Sequence, residues 1–124
     1  MATIKSYTDL EQSKVLSKIL SDESADMSYR HFAPNLLPEG YCISVDKVEY
    51  ETDIPCWSLA SLLGVLPSVI QRNGKRMFLT LEKAGVYNLY YKSPDRLDEL
   101  WETKEESIDA CVAMIESLHE LKML

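Results

Sequence analysis

Val69-Ile70-Gln71-Arg72-Asn73-Gly74-Lys75-Arg76-Met77-Phe78 is the stretch on which the fold turns. A two-residue type I′ turn needs positive φ at both central positions, and Asn-Gly meets that need at least steric cost. Counting outward pairs Arg72 with Lys75, Gln71 with Arg76, Ile70 with Met77 and Val69 with Phe78. Ile70, Met77, Leu79 and Leu81 then share an apolar face, because successive strand residues point to opposite sides. Lys83-Ala84-Gly85 marks a second turn, and Val86-Tyr87-Asn88-Leu89-Tyr90-Tyr91 supplies a third strand of residues suited to a pleated surface. A three-strand antiparallel β-meander is the expectation.

Directly upstream lies the most apolar stretch, Pro55-Cys56-Trp57-Ser58-Leu59-Ala60-Ser61-Leu62-Leu63-Gly64-Val65-Leu66-Pro67. Proline suits a first helical position, where its missing N–H is no loss, and Gly64 and Pro67 are stopping residues. The pattern predicts a short buried helix that starts near Pro55 and roofs the meander. Nearer the amino terminus, Thr8-Asp9-Leu10-Glu11 has capping-box spacing, so a helix is expected from about Asp9, with Leu10, Leu16, Ile19 and Leu20 near one side. Met27, Tyr29 and His31 alternate with Ser28, Arg30 and Phe32 in a weak strand pattern. Pro34, Asn35, Pro38 and Gly40 mark a loop, and Tyr41, Ile43 and Val45 read as a half-buried strand. Glu49, Glu51 and Asp53 give the approach to the central helix a negative edge.

Past the meander, Ser93–Lys104 is open between two readings: Leu97, Leu100 and Trp101 have helical spacing, whereas Pro94 and dense charge suit an irregular connection. A last helix follows a capping box at Thr103-Lys104-Glu105-Glu106 or a later cap at Ser107, with Ile108, Cys111, Val112, Ile115 and Leu118 on its apolar side. The sum is one α+β domain over residues 1–124, an antiparallel three-strand β-meander packed with N-terminal, central and C-terminal helices.

With 46% hydrophobic and 27% charged residues, the chain has an ordinary globular composition and is expected to bury its own core. No apolar run approaches the roughly 20 residues that cross a bilayer, and no signal-peptide pattern opens the sequence, so a soluble, cytoplasmic protein without membrane contact is expected. Cys42, Cys56 and Cys111 stand far apart without C-x-x-C spacing, which points to reduced thiols. The net charge of −7 disfavours nucleic acid as a partner. It is unevenly spread: residues 68–92 carry five cations against one anion, while residues 93–124 carry three against nine.

No chemical constellation stands out. Two distant histidines and three scattered cysteines lack metal-ligand spacing, no phosphate-binding glycine motif occurs, and neither metal nor cofactor is expected. Cys56 beside Pro55 at a helix start has the setting of a low-pKa thiol, which would make the chain a cysteine-dependent hydrolase if His31 or His119 stood nearby. A buried inert thiol is the plainer expectation. Residues 58–72 look like a helix-turn-helix, with small Ala60, Gly64 at the turn and Ile70 as anchor, and Arg72, Lys75 and Arg76 would then meet phosphates. Against DNA binding, Asn73-Gly74 leaves a recognition helix only about two turns. The remaining candidates form a binding surface: the basic hairpin tip of Arg72, Lys75 and Arg76 for an acidic partner or a second copy, and an aromatic patch of Tyr87, Tyr90 and Tyr91 with Phe78 and Trp101.

Thr8-Asp9-Leu10-Glu11-Gln12-Ser13, Glu23-Ser24-Ala25-Asp26-Met27, Pro55-Cys56-Trp57-Ser58-Leu59 and Ile108-Asp109-Ala110-Cys111-Val112-Ala113-Met114-Ile115 together resemble a family of small uncharacterised proteins of gut Bacteroides and their phages or mobile elements. The likeness touches both ends and the centre of the chain and brings no catalytic signature. It implies a cytoplasmic accessory protein with a macromolecular partner. The leading expectation is a small non-enzymatic protein-interaction module, ahead of a DNA-binding protein and a thiol hydrolase.

Overall fold

Asn73 and Gly74 take φ values of 55° and 75°, the left-handed pair that a type I′ hairpin demands. In the computed structural model, which describes residues 5–31 and 40–124, the elements run α1 (Leu10–Leu16), β1 (Met27–His31), β2 (Tyr41–Ser44), β3 (Ile54–Cys56), α2 (Leu59–Val65), β4 (Val69–Arg72), β5 (Lys75–Ala84), β6 (Val86–Lys92), β7 (Glu99–Lys104) and α3 (Ser107–Glu120). They fall into two compact units, Ser6–Leu62 on one side and Leu63–Leu124 with Lys5 on the other, with the division inside α2. The architecture is α+β with two antiparallel sheets.

In the first unit β1 lies between β2 and β3. Tyr29 faces Ile43 on one side and Ile54 on the other. The expected strands at 26–32 and 41–45 are present, although β2 ends at Ser44 and leaves Val45 82% exposed. Phe32, Pro34, Asn35 and Pro38 lie outside the described residues.

The helix predicted from Pro55 starts later. Pro55 and Cys56 belong to β3, an edge strand, where the missing proline N–H breaks no central ladder. Residues Ser6–Thr8 run beside Trp57–Leu59, with Thr8 N donating to Trp57 O at 2.9 Å and a bridge pairing Tyr7 with Ser58. The helix entrance is therefore Ser58, whose Oγ accepts from Ser61 N and whose N–H and hydroxyl are both held by the Asp26 carboxylate.

The first capping box shifts by one residue. Asp9 caps α1 by accepting from Gln12 N at 2.8 Å, and Gln12 returns the bond to Asp9 N at 3.1 Å. Thr8 instead turns inward and is fully buried: its Oγ1 accepts from Trp57 N at 3.1 Å and shares a hydrogen bond with Ser13 Oγ at 2.8 Å. The acidic run at 49–53 is not a bare negative edge either. Arg30 reaches Asp46, Glu49 and Asp53, and Asp53 also accepts from the Glu49 and Tyr50 amides. Burial works against the Asp53 carboxylate, but those amides and Arg30 outweigh it and hold its pKa below the usual range.

In the second unit the hairpin register is the one counted from the turn: Arg72 faces Lys75, Gln71 Arg76, Ile70 Met77 and Val69 Phe78. Gly85, at φ 77°, closes the next turn between Ala84 and Val86. The meander has four strands, in the order β4-β5-β6-β7, not three. The open segment 93–104 resolves into a turn, in which Ser93 and Asp95 bind each other and the Leu97 and Asp98 amides, followed by β7. Leu97 is 79% exposed, so its helical spacing with Leu100 has no structural counterpart.

The apolar face carries Ile70, Met77, Leu89 and Tyr91, all buried, and α3 lies over β6 and β7 on that side. Ser117 of α3 donates to Glu102 of β7 at 3.0 Å. Ile108, Cys111, Val112, Ile115 and Leu118 are buried as the helical period required, joined by Ala110 and Met114. Thr103 does not cap α3: it sits in β7 and donates to Asn88 Oδ1, while Glu106 occupies the cap position without a side-chain capping bond, its carboxylate accepting instead from Lys5 N at 3.3 Å.

Candidate functional site

Strand alternation divides the proposed basic tip. Arg72 and Lys75 point to the side of the sheet on which α3 lies, whereas Gln71 and Arg76 point to the other. Lys75 is spoken for within its own unit, because its Nζ stands 2.9 Å from Asp95 and 3.0 Å from Asp98. Those two carboxylates raise the lysine pKa, and Ser93, Lys75 and the Leu97 amide in turn hold the Asp95 carboxyl far below its usual range. Lys75 thus pins the hairpin to the β6–β7 turn, and the acidic partner expected for it is supplied by this chain.

The same rule corrects the aromatic patch. Tyr91 is fully buried, and its hydroxyl donates to Pro67 O at 2.6 Å. Tyr87 lies on the same side, half-buried, with Lys83 Nζ 5.5 Å from its ring centre. Tyr91 therefore lies outside any open surface, whereas Tyr87, on the same parity as Leu89 and Tyr91, stays partly exposed beside Lys83 and Lys104.

The uncovered face carries the other parity. There Phe78, Tyr90 and Trp101 stand together, with Phe78 45% and Trp101 41% exposed. Tyr90 and Trp101, opposite each other across β6 and β7, stack with centroids 4.4 Å apart and planes within 4°. Trp101 Nε1 donates to Thr103 Oγ1 at 2.7 Å, so the indole is held both by its face and by its nitrogen. Lys92 Nζ lies 5.2 Å from both ring centres and 3.7 Å from Glu99, and the Arg76 guanidinium lies 5.8 Å from the Phe78 centroid. At the far end Glu82 accepts from the Tyr90 hydroxyl at 3.3 Å.

Lys92 and Glu82 escaped the sequence reading. Once β6 is a strand, the burial of Tyr91 alone would have placed Tyr90 and Lys92 outside; what hid the pair with Trp101 was the unassigned β7.

The remaining candidates lose the geometry they needed. Helix α2 is followed by β4 and not by a second helix, so residues 58–72 offer nothing to lie in a groove. Cys56 is fully buried in β3 and not inside a helix, and its thiol bonds to Thr8 O at 3.4 Å. Burial pushes the Cys56 thiol up, against the opposing hydrogen bond from Thr8, and pushes Cys111 up to about 12. His31 stacks on Tyr41, and His119 faces Leu124 O. An open hollow of about 210 Å³ between Asp22, Glu23, Lys47 and Val48 has neither a cysteine nor a histidine among its described lining residues. Among the described residues no three His, Cys, Asp or Glu side chains are placed to share a metal ion, and no helix is long and apolar enough to cross a membrane.

No family model matches the chain, and neither the curated proteins nor the solved structures include a detectable relative.

Proposed function

We propose that this chain is a small non-enzymatic protein-interaction module whose contact surface is the open face of the β4–β7 sheet. One observation carries the proposal: Phe78, Tyr90 and Trp101 are gathered on a single uncovered face, two of them more than two-fifths exposed. Large apolar rings side by side in water sacrifice burial, and tryptophan, tyrosine and arginine are the residues that concentrate binding energy at protein interfaces. The stacked pair is already ordered, so little side-chain entropy remains to be lost on contact. All three cysteines are free thiols, which suits a reducing cytoplasm. An accessory role in a phage or mobile element, which the sequence resemblance implies, fits a module of this size.

The test is affinity recovery of proteins from a native cell extract with the wild-type chain and with a Phe78→Ser/Trp101→Ser variant. Both side chains face solvent, so the variant should keep the wild-type circular dichroism spectrum. A protein retained by the wild type and at least tenfold less by the variant is the expected result; equal retention by both removes this face from the function.

A further inference from the structure

We infer that the occupant of the open face is a second copy of this chain, packed sheet on sheet about a two-fold axis that crosses the strands at the level of Leu79. The inference rests on the protein-interaction function proposed above. Its basis is the order of charges along the face. Arg76 and Lys92, with Glu99, leave one excess positive charge at the hairpin end, and Glu82 leaves one negative charge at the opposite end. Phe78, Tyr90 and Trp101 lie between.

A two-fold contact needs a patch that complements itself when reversed. An in-plane axis across the strands sets β5 antiparallel over its mate. It brings Arg76 toward the partner's Glu82, Glu82 toward the partner's Arg76, and the aromatic rings into the middle. Arg76 has no carboxylate within ion-pair distance among the described residues, so the contact supplies a counter-charge that those residues do not.

Size sets the strength. Strands of 4, 10, 7 and 6 residues present a face of about 400 Å², from their rise and spacing, hence roughly 900 Å² over both copies. That is below the size of stable specific interfaces and in the range of weak, transient ones, so the dimer should be in exchange with monomer at micromolar or higher concentrations. The −7 charge on each chain opposes association, but screening over about 8 Å at physiological salt leaves the local pairs to decide.

The experiment is sedimentation of the intact chain from 1 to several hundred micromolar. The expected result is a monomer–dimer equilibrium that Arg76→Glu and Glu82→Arg each weaken at least tenfold. An equimolar mixture of the two variants should restore dimer, because one then presents two anions and the other two cations. Circular dichroism controls for folding, and both positions are exposed. A wild type that stays monomeric throughout, or a mixture no more dimeric than its components, overturns the inference. If the monomeric chain still retains a protein through Phe78 and Trp101, only the second copy is wrong; if it retains none, the protein-interaction function falls as well. Monomer that retains a single-stranded oligonucleotide overturns both in favour of base stacking.

Discussion

Replacing Thr8 by valine tests whether the hydroxyl that the sequence assigns to a helix cap is instead a buried latch. Valine keeps the shape of threonine and leaves no cavity. It removes the acceptor for Trp57 N at 3.1 Å and the partner of Ser13 Oγ at 2.8 Å, both in residues with no solvent exposure. A buried polar group that loses its partner costs about 1–3 kcal/mol, so the two together should cost about 2–6 kcal/mol. An exposed cap is worth only about 1 kcal/mol. Against a total of about 5–15 kcal/mol for a domain, the difference is easily resolved. The assay is urea unfolding followed by the fluorescence of Trp57 in a Trp101→Phe background, where no other indole remains. Thr8→Ser keeps the hydroxyl, loses one methyl group and should cost only about 1 kcal/mol. A loss below about 1 kcal/mol for Thr8→Val, or equal losses for both substitutions, refutes the latch.

Other expectations follow from the second unit and from the thiols. Because the folded Asp95 pKa is depressed, its contribution to stability is complete above the unfolded carboxylate value of about 4 and is lost as pH falls through the folded value. An NMR titration should place the Asp95 midpoint below that of a free carboxylate and show it rising in Ser93→Ala and in Lys75→Ala; an unmoved midpoint contradicts the assigned partners. Gly74→Ala forces a Cβ into φ 75° and should lower stability by about 1 kcal/mol, read as a drop in Tm, whereas no drop means that the turn rearranges freely. Native chain should react with a thiol reagent at Cys42 alone, since Cys56 and Cys111 are buried; labelling that survives Cys42→Ser without denaturant places a second thiol in reach.

Much of the fold follows from local rules. Asn73-Gly74 determined a hairpin and its register, because only a few residues tolerate that backbone and the strand period fixes everything that follows. The period of α3 determined its buried side in the same way. The site was less legible. Proximity in the chain groups Arg72, Lys75 and Arg76, and Tyr87 with Tyr91, yet a strand sends neighbours to opposite faces, which parts Arg76 from Lys75 and Tyr90 from Tyr91.

Sequence alone determined what depends on backbone conformation and on periodicity within one segment: the tight turns, the meander and the amphipathic last helix. Only tertiary structure decided that Pro55 and Cys56 join a strand, that Thr8 turns inward, that residues 99–104 form a fourth strand, and that Phe78, Tyr90 and Trp101 meet on the uncovered face. Each of these is settled by a partner distant along the chain, such as β1 for Pro55, Trp57 for Thr8 and β6 for Trp101. Pairing energy of that kind outweighs the weak local preferences of a short segment, and a single sequence does not display it.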